Sequence, residues 1–371
     1  DEDSVDRGGN AAKSAAIAEK SIVLLKNRRG ILPLNRGKLD SIAVIGPVAD
    51  RYFTGGGSSE IDPFQTTTAL AGITKQAGSG VDVGFNDGAD PAQAAQLAGD
   101  SDVAVVVVGS WSSEGIDRAC LSLECPSFLG DQDALIREVA AANRNTVVVI
   151  ESGGPILTPW RNQVGAILEA WYPGSNGGTA IGRILFGKAD ASGRLPVTFP
   201  RKESDIPTYG EPSAYPGVDD VVKYKEGVFV GYRRYDRRKI KPAYEFGRGL
   251  SYAKFRFSKL KLKRHGPKLA VKARVSNVGK RAGVAVPQLY LGLPSTNVKQ
   301  PPRALKGFAR ISLKRGKGRQ VKFTVDKRGL SFWNAGKNRW QVAKGCYRVY
   351  VGASSRKLPL RGKFGIGRKC R

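Results

Sequence analysis

The sequence predicts an α/β domain built on a mostly parallel sheet, followed by a smaller all-β domain. Over roughly the first 200 residues, apolar runs alternate with stretches of helical spacing, which is the pattern of a parallel sheet covered by helices. From Phe255 onward, short segments with a period of two residues are separated by Gly, Pro and Asn turns, which favours a small β-sandwich of immunoglobulin or fibronectin type. Residues 201–252 have no sustained period, but their tyrosines and phenylalanines indicate a packed linker rather than disorder.

The elements of the α/β domain are predicted from hydrophobic periodicity. An Ala-rich stretch with helical spacing predicts a first helix over residues 10–27. Strands are predicted at Ser41–Ile45, Val81–Phe85, Val103–Gly109, Thr146–Glu151 and Gly165–Ala170. Helices are predicted around Thr68–Gln76, Pro91–Ala98, Gln132–Asn143 and Gly178–Phe186.

The end of the strand Val103–Gly109 is the predicted place for chemistry. Its continuous Val and Ala residues indicate a strand that is buried on both faces. In open α/β sheets, ligands bind outside the carboxyl ends of the strands, and here this end is followed by Trp111, Glu114, Asp117 and Arg118. A carboxylate beside an aromatic side chain is suited to general acid catalysis. The alternative is that Glu114 is a solvated loop residue and that Asp117 and Arg118 form an ordinary ion pair.

The net charge of +29 is concentrated in the last third of the chain. Residues 253–371 contain 33 Lys or Arg and one acid, whereas residues 1–252 contain 28 Lys or Arg and 31 acids. Such an asymmetry favours a polyanionic partner, such as an anionic surface polymer, although solubility is an alternative explanation. The basic residues alternate with apolar ones, as on the exposed face of a strand, so we do not expect specific recognition of nucleic acid. No apolar run approaches the ~20 residues that span a bilayer.

The four cysteines form two local pairs, Cys120 with Cys125 and Cys346 with Cys370. There is no Cys-x-x-Cys motif, and the single histidine, His265, lies in a basic turn, so no zinc or other metal site is expected. Two short-range disulfides in a secreted or cell-surface protein are predicted. Four reduced cysteines in a cytosolic protein are the alternative. The chain contains no methionine, even at position 1, and we interpret it as a trimmed product or a piece of a longer precursor.

Long motifs follow one another along the whole chain in the order found in one family. They are SIVLLKN…LPL (Ser21–Leu34), IAVIGP (Ile42–Pro47), GGGSS (Gly55–Ser59), SEGIDR (Ser113–Arg118), TVVVIESGGP (Thr146–Pro155), AWYPGSNGGTAIGRILFG (Ala170–Gly187), SGRLPVTFP (Ser192–Pro200), YKEGVFVGYRRYD (Tyr224–Asp236) and EFGRGLSYAKF (Glu245–Phe255). With these motifs the chain resembles the C-terminal half of a family-3 glycoside hydrolase of the β-glucosidase type. Enzymes of this family consist of a TIM-like barrel, an α/β sandwich and often a fibronectin-type domain.

The resemblance implies the domain limits and the site residues. It implies an α/β sandwich over residues 1–200, a structured linker over 201–252 and a basic, fibronectin type III-like β-sandwich over 253–371. The acid/base residue of a retaining, exo-acting β-glycosidase would be Glu114, and Asp117 and Arg118 would orient its loop. No cofactor is implied.

Two further residues are implied to bind substrate. These are Trp111 and Ser58, whose hydroxyl would be offered by a mobile GGGSS loop near the sugar. A plain flexible turn is the alternative for this loop, which lacks the Lys of a P-loop and the spacing of a dinucleotide-binding motif. The substrate would be a β-linked glucoside or oligosaccharide.

The nucleophile of a retaining enzyme is not expected among these residues. In the family it is an aspartate of the barrel, which precedes the sandwich, and the first residues here already align with the start of the sandwich. Retaining hydrolysis needs two carboxyl groups about 5 Å apart. We therefore expect a barrel on a separate chain or in a missing N-terminal domain, and an inactive protein without it. The alternative function is a non-catalytic surface protein of the same descent that binds carbohydrate or a polyanion.

Overall fold

The computed structural model describes residues 6–125, 127–266, 268–367 and 370, which fold into two compact units. The first unit extends to Arg194 and also includes Gly249–Tyr252. The second consists of Leu195–Arg248 and the residues from Ala253 onward. The predicted fold class is confirmed, because the first unit contains a mostly parallel sheet with helices and the second contains antiparallel sheets. The predicted limits of the two domains and the linker stay predictions.

Six strands form the sheet of the first unit, in the order β1-β6-β5-β4-β2-β3. They are β1 (Val23–Asn27), β2 (Ser41–Ile45), β3 (Asp82–Asn86), β4 (Val103–Ser110), β5 (Thr146–Ser152) and β6 (Ala166–Glu169). All neighbouring pairs are parallel except β1 with β6. Every residue of β4 and of β5 is buried, as expected for central strands covered on both faces.

Five α-helices belong to the same unit. They are α1 (Arg7–Ser21), α2 (Ala69–Ala77), α3 (Pro91–Gly99), α4 (Gln132–Ala142) and α5 (Gly177–Leu185). Four of them begin after an Asp or Thr whose side chain accepts a hydrogen bond from a backbone N–H of the first turn, which satisfies donors that have no partner inside the helix. The four later helices predicted from periodicity are confirmed within one residue at each end, whereas the first begins three residues before the predicted start at residue 10.

The predicted helix over residues 10–27 is wrong in its last six residues. Helix α1 ends at Ser21, and Val23–Asn27 forms an edge strand antiparallel to β6. The reason is burial: the four successive residues from Ile22 to Leu25 are all 0% exposed. A helix that covers a sheet buries one face and cannot bury four consecutive residues, whereas a strand in a covered sheet can.

The return segment Gly249–Tyr252 completes the first unit. Leu250 donates its backbone N–H to the carbonyl of Leu24 in β1 at 2.8 Å. The Ser251 hydroxyl and the Tyr252 N–H both donate to the carboxylate of Asp190, at 2.7–2.9 Å. The edge of the first unit is therefore closed by residues that come from much later in the chain.

The second unit contains one α-helix and eleven strands among the described residues. They are α6 (Tyr232–Arg237), β7 (Phe255–His265), β8 (Lys268–Asn277), β9 (Gly283–Ala285), β10 (Gln288–Gly292), β11 (Ala304–Phe308), β12 (Ile311–Leu313), β13 (Gly318–Val325), β14 (Ser331–Asn334), β15 (Arg339–Val342), β16 (Gly345–Gly352) and β17 (Leu360–Ile366). Sheets β11-β10-β16-β17 and β13-β8-β7 are accompanied by the ribbons β12-β9 and β14-β15. The two larger sheets share a core that includes Val271, Phe323, Leu289 and Val349.

Both predicted disulfides are present. Cys120 is bonded to Cys125 in the loop after β4, and Cys346 in β16 is bonded to Cys370. No free cysteine occurs in the described part of the chain. Among the helices of the described residues, none is long and apolar enough to cross a bilayer.

The longer disulfide is expected to contribute more to stability than the shorter one. It closes a loop over a sequence separation of 24 residues, against 5 for the other, and a longer loop loses more chain entropy in the unfolded state. The double variant Cys346→Ser/Cys370→Ser should lose about 3 kcal/mol of unfolding free energy, and Cys120→Ser/Cys125→Ser about 2 kcal/mol, in denaturant titrations. Equal stability of the wild type and the 346/370 variant would contradict this expectation.

Candidate active site

Glu114 is held at the carboxyl edge of the sheet by a second loop. Its Oε2 accepts a hydrogen bond from the backbone N–H of Ser58 at 3.1 Å. The two loops are also joined through their backbones, because Gly56 donates to the carbonyl of Ser112 at 3.0 Å and Glu114 donates to that of Gly56 at 3.4 Å. The Glu114 side chain is otherwise exposed to solvent. A carboxylate in this arrangement is fixed in position yet accessible to a ligand.

Gly57 makes this approach possible. Its φ is +71°, and a Cβ built on it would lie 2.7 Å from the Cβ of Glu114. Both the left-handed backbone and the contact require glycine at this position. The GGGSS loop therefore supports Glu114 with backbone atoms, and Ser58 contributes its N–H to that contact. Its predicted hydroxyl contact with a sugar stays a prediction.

Arg118 turns back from the same loop towards the ends of β4 and β5. Its Nη1 donates to the hydroxyl of Ser110 at 3.4 Å. A Cβ on Gly154 would lie 3.6 Å from Nη2, an ordinary van der Waals separation. Burial lowers the pKa of the Arg118 guanidinium, while the nearby Tyr172 and Glu169 raise it. The guanidinium thus ties the Glu114 loop to the last residue of β4.

Tyr172 fixes the first residues of the Glu114 loop. Its hydroxyl donates to the carbonyl of Ser110 at 2.9 Å and accepts from the N–H of Ser112 at 2.8 Å. Its ring meets Phe53 edge-on at a centroid distance of 5.8 Å. The Tyr172 hydroxyl therefore satisfies two backbone groups at the point where β4 ends.

A second group of predicted residues surrounds a small cavity of about 160 Å³. Its lining residues are Trp111, Ser112, Ile116, Asp117, Arg118, Ala119 and Cys125. The Trp111 ring meets Phe128 edge-on at 6.2 Å, and the Phe128 side chain is 68% exposed. The structure thus brings Trp111, Asp117 and Arg118 together at this cavity and places Ser58 against Glu114.

No three His, Cys, Asp or Glu side chains of the described residues come together in a way that could hold a metal ion.

Two buried glutamates behind the site were missed by sequence reasoning. Glu151 and Glu169 lie at the ends of β5 and β6 and are only 4% and 0% exposed. Burial raises the pKa of Glu151 to about 8 and that of Glu169 well above its ordinary value. Glu169 Oε1 accepts from the Trp171 N–H at 2.9 Å and from the Ser152 hydroxyl at 3.2 Å. The sequence feature that could have identified them is an acidic residue within each of two otherwise apolar strand segments.

Glu151 should make the protein less stable as pH rises. Between the ordinary glutamate pKa and its raised value of about 8, folded Glu151 keeps a proton that the unfolded chain has released, so the unfolding free energy falls with pH. One such group contributes a slope of up to about 1.4 kcal/mol per pH unit. Urea titrations between about pH 5 and pH 8 should show a shallower decline for Glu151→Gln than for the wild type.

A matched control for this measurement is Glu138→Gln, which changes an exposed carboxylate on α4. It should leave the pH profile of stability unchanged. Parallel profiles for the wild type and Glu151→Gln would show that Glu151 titrates alike in the folded and unfolded protein, against the expectation.

Comparison with known proteins identifies two domain families along the chain. Residues 22–252 match the Glycosyl hydrolase family 3 C-terminal domain, and residues 285–355 match the Fibronectin type III-like domain. The chain is 37% identical over 374 residues to thermostable beta-glucosidase B of Acetivibrio thermocellus, covering 96% of this chain and 48% of that protein. It is 36% identical over 378 residues to an exo-alpha-(1->6)-L-arabinopyranosidase of Bifidobacterium breve, covering 95% and 48%.

A solved structure shows the same fold. The crystal structure of DesR, a beta-glucosidase from Streptomyces venezuelae in complex with D-glucose, superimposes with a TM-score of 0.93 at 30% identity. The match covers 97% of this chain and 60% of that one. The chain spans about half the length of the two curated relatives. Its long match to the family domain and its identity to these relatives show that the chain belongs to family 3 of the glycosyl hydrolases.

Proposed function

We propose that this chain supplies the acid/base loop of a retaining, exo-acting β-glycosidase, with Glu114 as the acid/base residue. The observation that carries the proposal is the hydrogen bond from the Ser58 N–H to Glu114 Oε2 at the carboxyl edge of the sheet. The loop that donates it can approach Glu114 so closely because residue 57 is glycine. The carboxylate is held by one oxygen while its side chain stays exposed. This combination suits a group that must give a proton to a bound substrate.

The proposed reaction has two steps. Glu114 first protonates the glycosidic oxygen while a carboxylate nucleophile attacks the sugar and forms a glycosyl-enzyme intermediate. Glu114, now ionised, then takes a proton from water, which releases the sugar with its configuration retained. The nucleophile must lie about 5–5.5 Å from Glu114. We assign it to a barrel outside these residues, on a separate chain or in a preceding domain, and expect this chain to be inactive alone.

The neighbouring residues would position the acid/base loop and the substrate. Arg118 ties the loop to Ser110, and with Asp117 it lines the small cavity beside Trp111. We assign loop orientation to Asp117 and Arg118 and substrate contact to Trp111 and the Ser58 hydroxyl. The substrate class is a β-linked glucoside or oligosaccharide, in line with the relatives named as beta-glucosidases.

The proposed location is outside the cell or on its surface. Disulfides persist in oxidising compartments, and this chain carries two. The alternative function, a non-catalytic surface protein that binds carbohydrate or a polyanion, is favoured by the basic composition of residues 253–371. The two functions are distinguished by whether a barrel-bearing partner confers glycosidase activity in the presence of this chain.

Replacing Glu114 should abolish most of the activity of the assembled enzyme. In an assay with the barrel-bearing partner, Glu114→Ala should lower turnover of a natural glycoside about 10²- to 10⁴-fold, because the leaving group is no longer protonated. Azide should partly restore turnover of an activated aryl glycoside, since azide can attack the glycosyl-enzyme without a general base. The exposed acid Glu138 provides the control variant Glu138→Ala. Unchanged turnover in Glu114→Ala would refute the assignment.

Gly57 should matter for catalysis through Glu114. Gly57→Ala places a methyl group against the Glu114 Cβ and should lower kcat at least tenfold, with a larger loss for substrates whose leaving groups need protonation. Gly130→Ala is the matched control, because Gly130 has the same positive φ of +71° but no atom within 4 Å of a built Cβ. If the two variants lose activity equally, backbone strain alone explains the effect and the contact with Glu114 does not.

A further inference from the structure

The outward face of the sheet β13-β8-β7 carries a regular set of basic side chains. Successive residues of a strand point to opposite faces. In β8 the inward residues Leu269, Val271, Ala273 and Val275 are buried, and the intervening residues face solvent. We define the basic face as six exposed Lys and Arg residues on this outward side, namely Arg256, Lys261, Lys263, Lys272, Arg274 and Lys322.

Three of these lysines form a row across the sheet. Lys272 of the central strand pairs directly with Lys261 of β7 on one side and with Lys322 of β13 on the other. Side chains that are directly opposite on one face have Cβ atoms about 4.5–5.5 Å apart, and like charges in such positions destabilise the sheet. Repulsion among the three lysines therefore lowers the stability of the folded sheet, and an anion bound across the row would relieve this repulsion.

Among the described residues, no carboxylate forms an ion pair with this row. None of the six residues of the basic face makes an ion pair with a described residue. The one acid from residue 253 onward is Asp326, whose Oδ1 accepts a hydrogen bond from Gly329 at 2.7 Å. In the preceding segment, the carboxylate of Asp236 forms ion pairs with Arg303 and Arg356, which lie outside the basic face.

We propose that the basic face binds an acidic polysaccharide, a linear polymer whose carboxylate or sulfate groups recur along the chain. The positive charge of the basic face complements the negative charges of such a polymer. The lysines and arginines repeat at strand spacings, about 4.8 Å across the sheet and about 6.7 Å between alternate residues of a strand, which fits closely spaced anions on an extended chain. Between them lie the outward residues Ser258, Ser276, Gln320 and Thr324, which can hydrogen-bond to sugar hydroxyls.

Nucleic acid is a poorer fit to this surface. Proteins that bind single strands stack bases on aromatic side chains, and the outward positions of the three strands hold no Phe, Tyr or Trp. Duplex reading places a helix or a two-stranded ribbon in a groove, whereas the basic face is the broad side of a three-stranded sheet. The proposal is independent of the acid/base assignment, because it concerns residues that take no part in the proposed reaction.

The test measures binding of the 371-residue chain to heparin, polygalacturonate, neutral dextran and duplex DNA at rising salt. The face variant is Lys261→Gln/Lys272→Gln/Lys322→Gln. The control variant removes the same charge from exposed lysines off the sheet, as Lys314→Gln/Lys337→Gln/Lys357→Gln. We expect heparin or polygalacturonate, but not dextran, to bind the wild type, with the Kd raised at least tenfold in the face variant and less than threefold in the control.

The salt dependence gives a second readout. If the three lysines contact anions of the polymer, the slope of log Kd against log salt should become shallower by about two to three in the face variant. Lys261→Arg/Lys272→Arg/Lys322→Arg keeps the charge and should retain affinity within threefold, which separates loss of charge from loss of folding. Equal losses in the face and control variants, or tighter binding of DNA than of both acidic polysaccharides, would overturn the proposal.

Discussion

The parallel pairing of β4 with β5 is the constraint on which the candidate site depends. Both strands are buried along their whole length, so their register is fixed by the apolar side chains on both faces. Ser110 therefore lies beside Ser152 at the last step of the ladder. Three segments begin near this point: the loop that carries Glu114, the turn at Gly153 and Gly154 after β5, and the turn that contains Tyr172. The side chains of Tyr172 and Arg118 each form a hydrogen bond with Ser110.

Much of the first unit could be predicted from the sequence, because its central strands are continuous apolar runs and four of its α-helices begin after an Asp or Thr cap. The helix prediction over residues 10–27 was wrong where the local helical spacing conflicts with the burial that the folded sheet imposes. Ala-rich spacing continues into Ile22 to Leu25 without a Gly or Pro to stop it, and only burial on all sides converts that segment into an edge strand. That burial depends on β6, which is distant in the sequence.

In the candidate site, too, some features could be predicted from the local sequence and others depend on the folded structure. Glu114 stands out because a polar motif follows an apolar strand, and the family motif names it. The support from the Gly57 backbone, and the raised pKa values of Glu151 and Glu169, follow from which atoms surround those residues. A sequence shows an acid next to apolar residues but not the solvent excluded around it. Local pattern therefore predicted the candidate site, and only the assembled structure identified the groups behind it.

The return segment Gly249–Tyr252 has a consequence for the order of events during synthesis. Leu250 bonds to β1, and Ser251 and Tyr252 bond to Asp190, so these bonds cannot form until the ribosome has passed Tyr252. A nascent chain released or cleaved after Arg194 lacks every one of them, and the carbonyl of Leu24 and the carboxylate of Asp190 lose the partners that the return segment provides. The first unit is thus completed only after the intervening segment Leu195–Arg248 has been made.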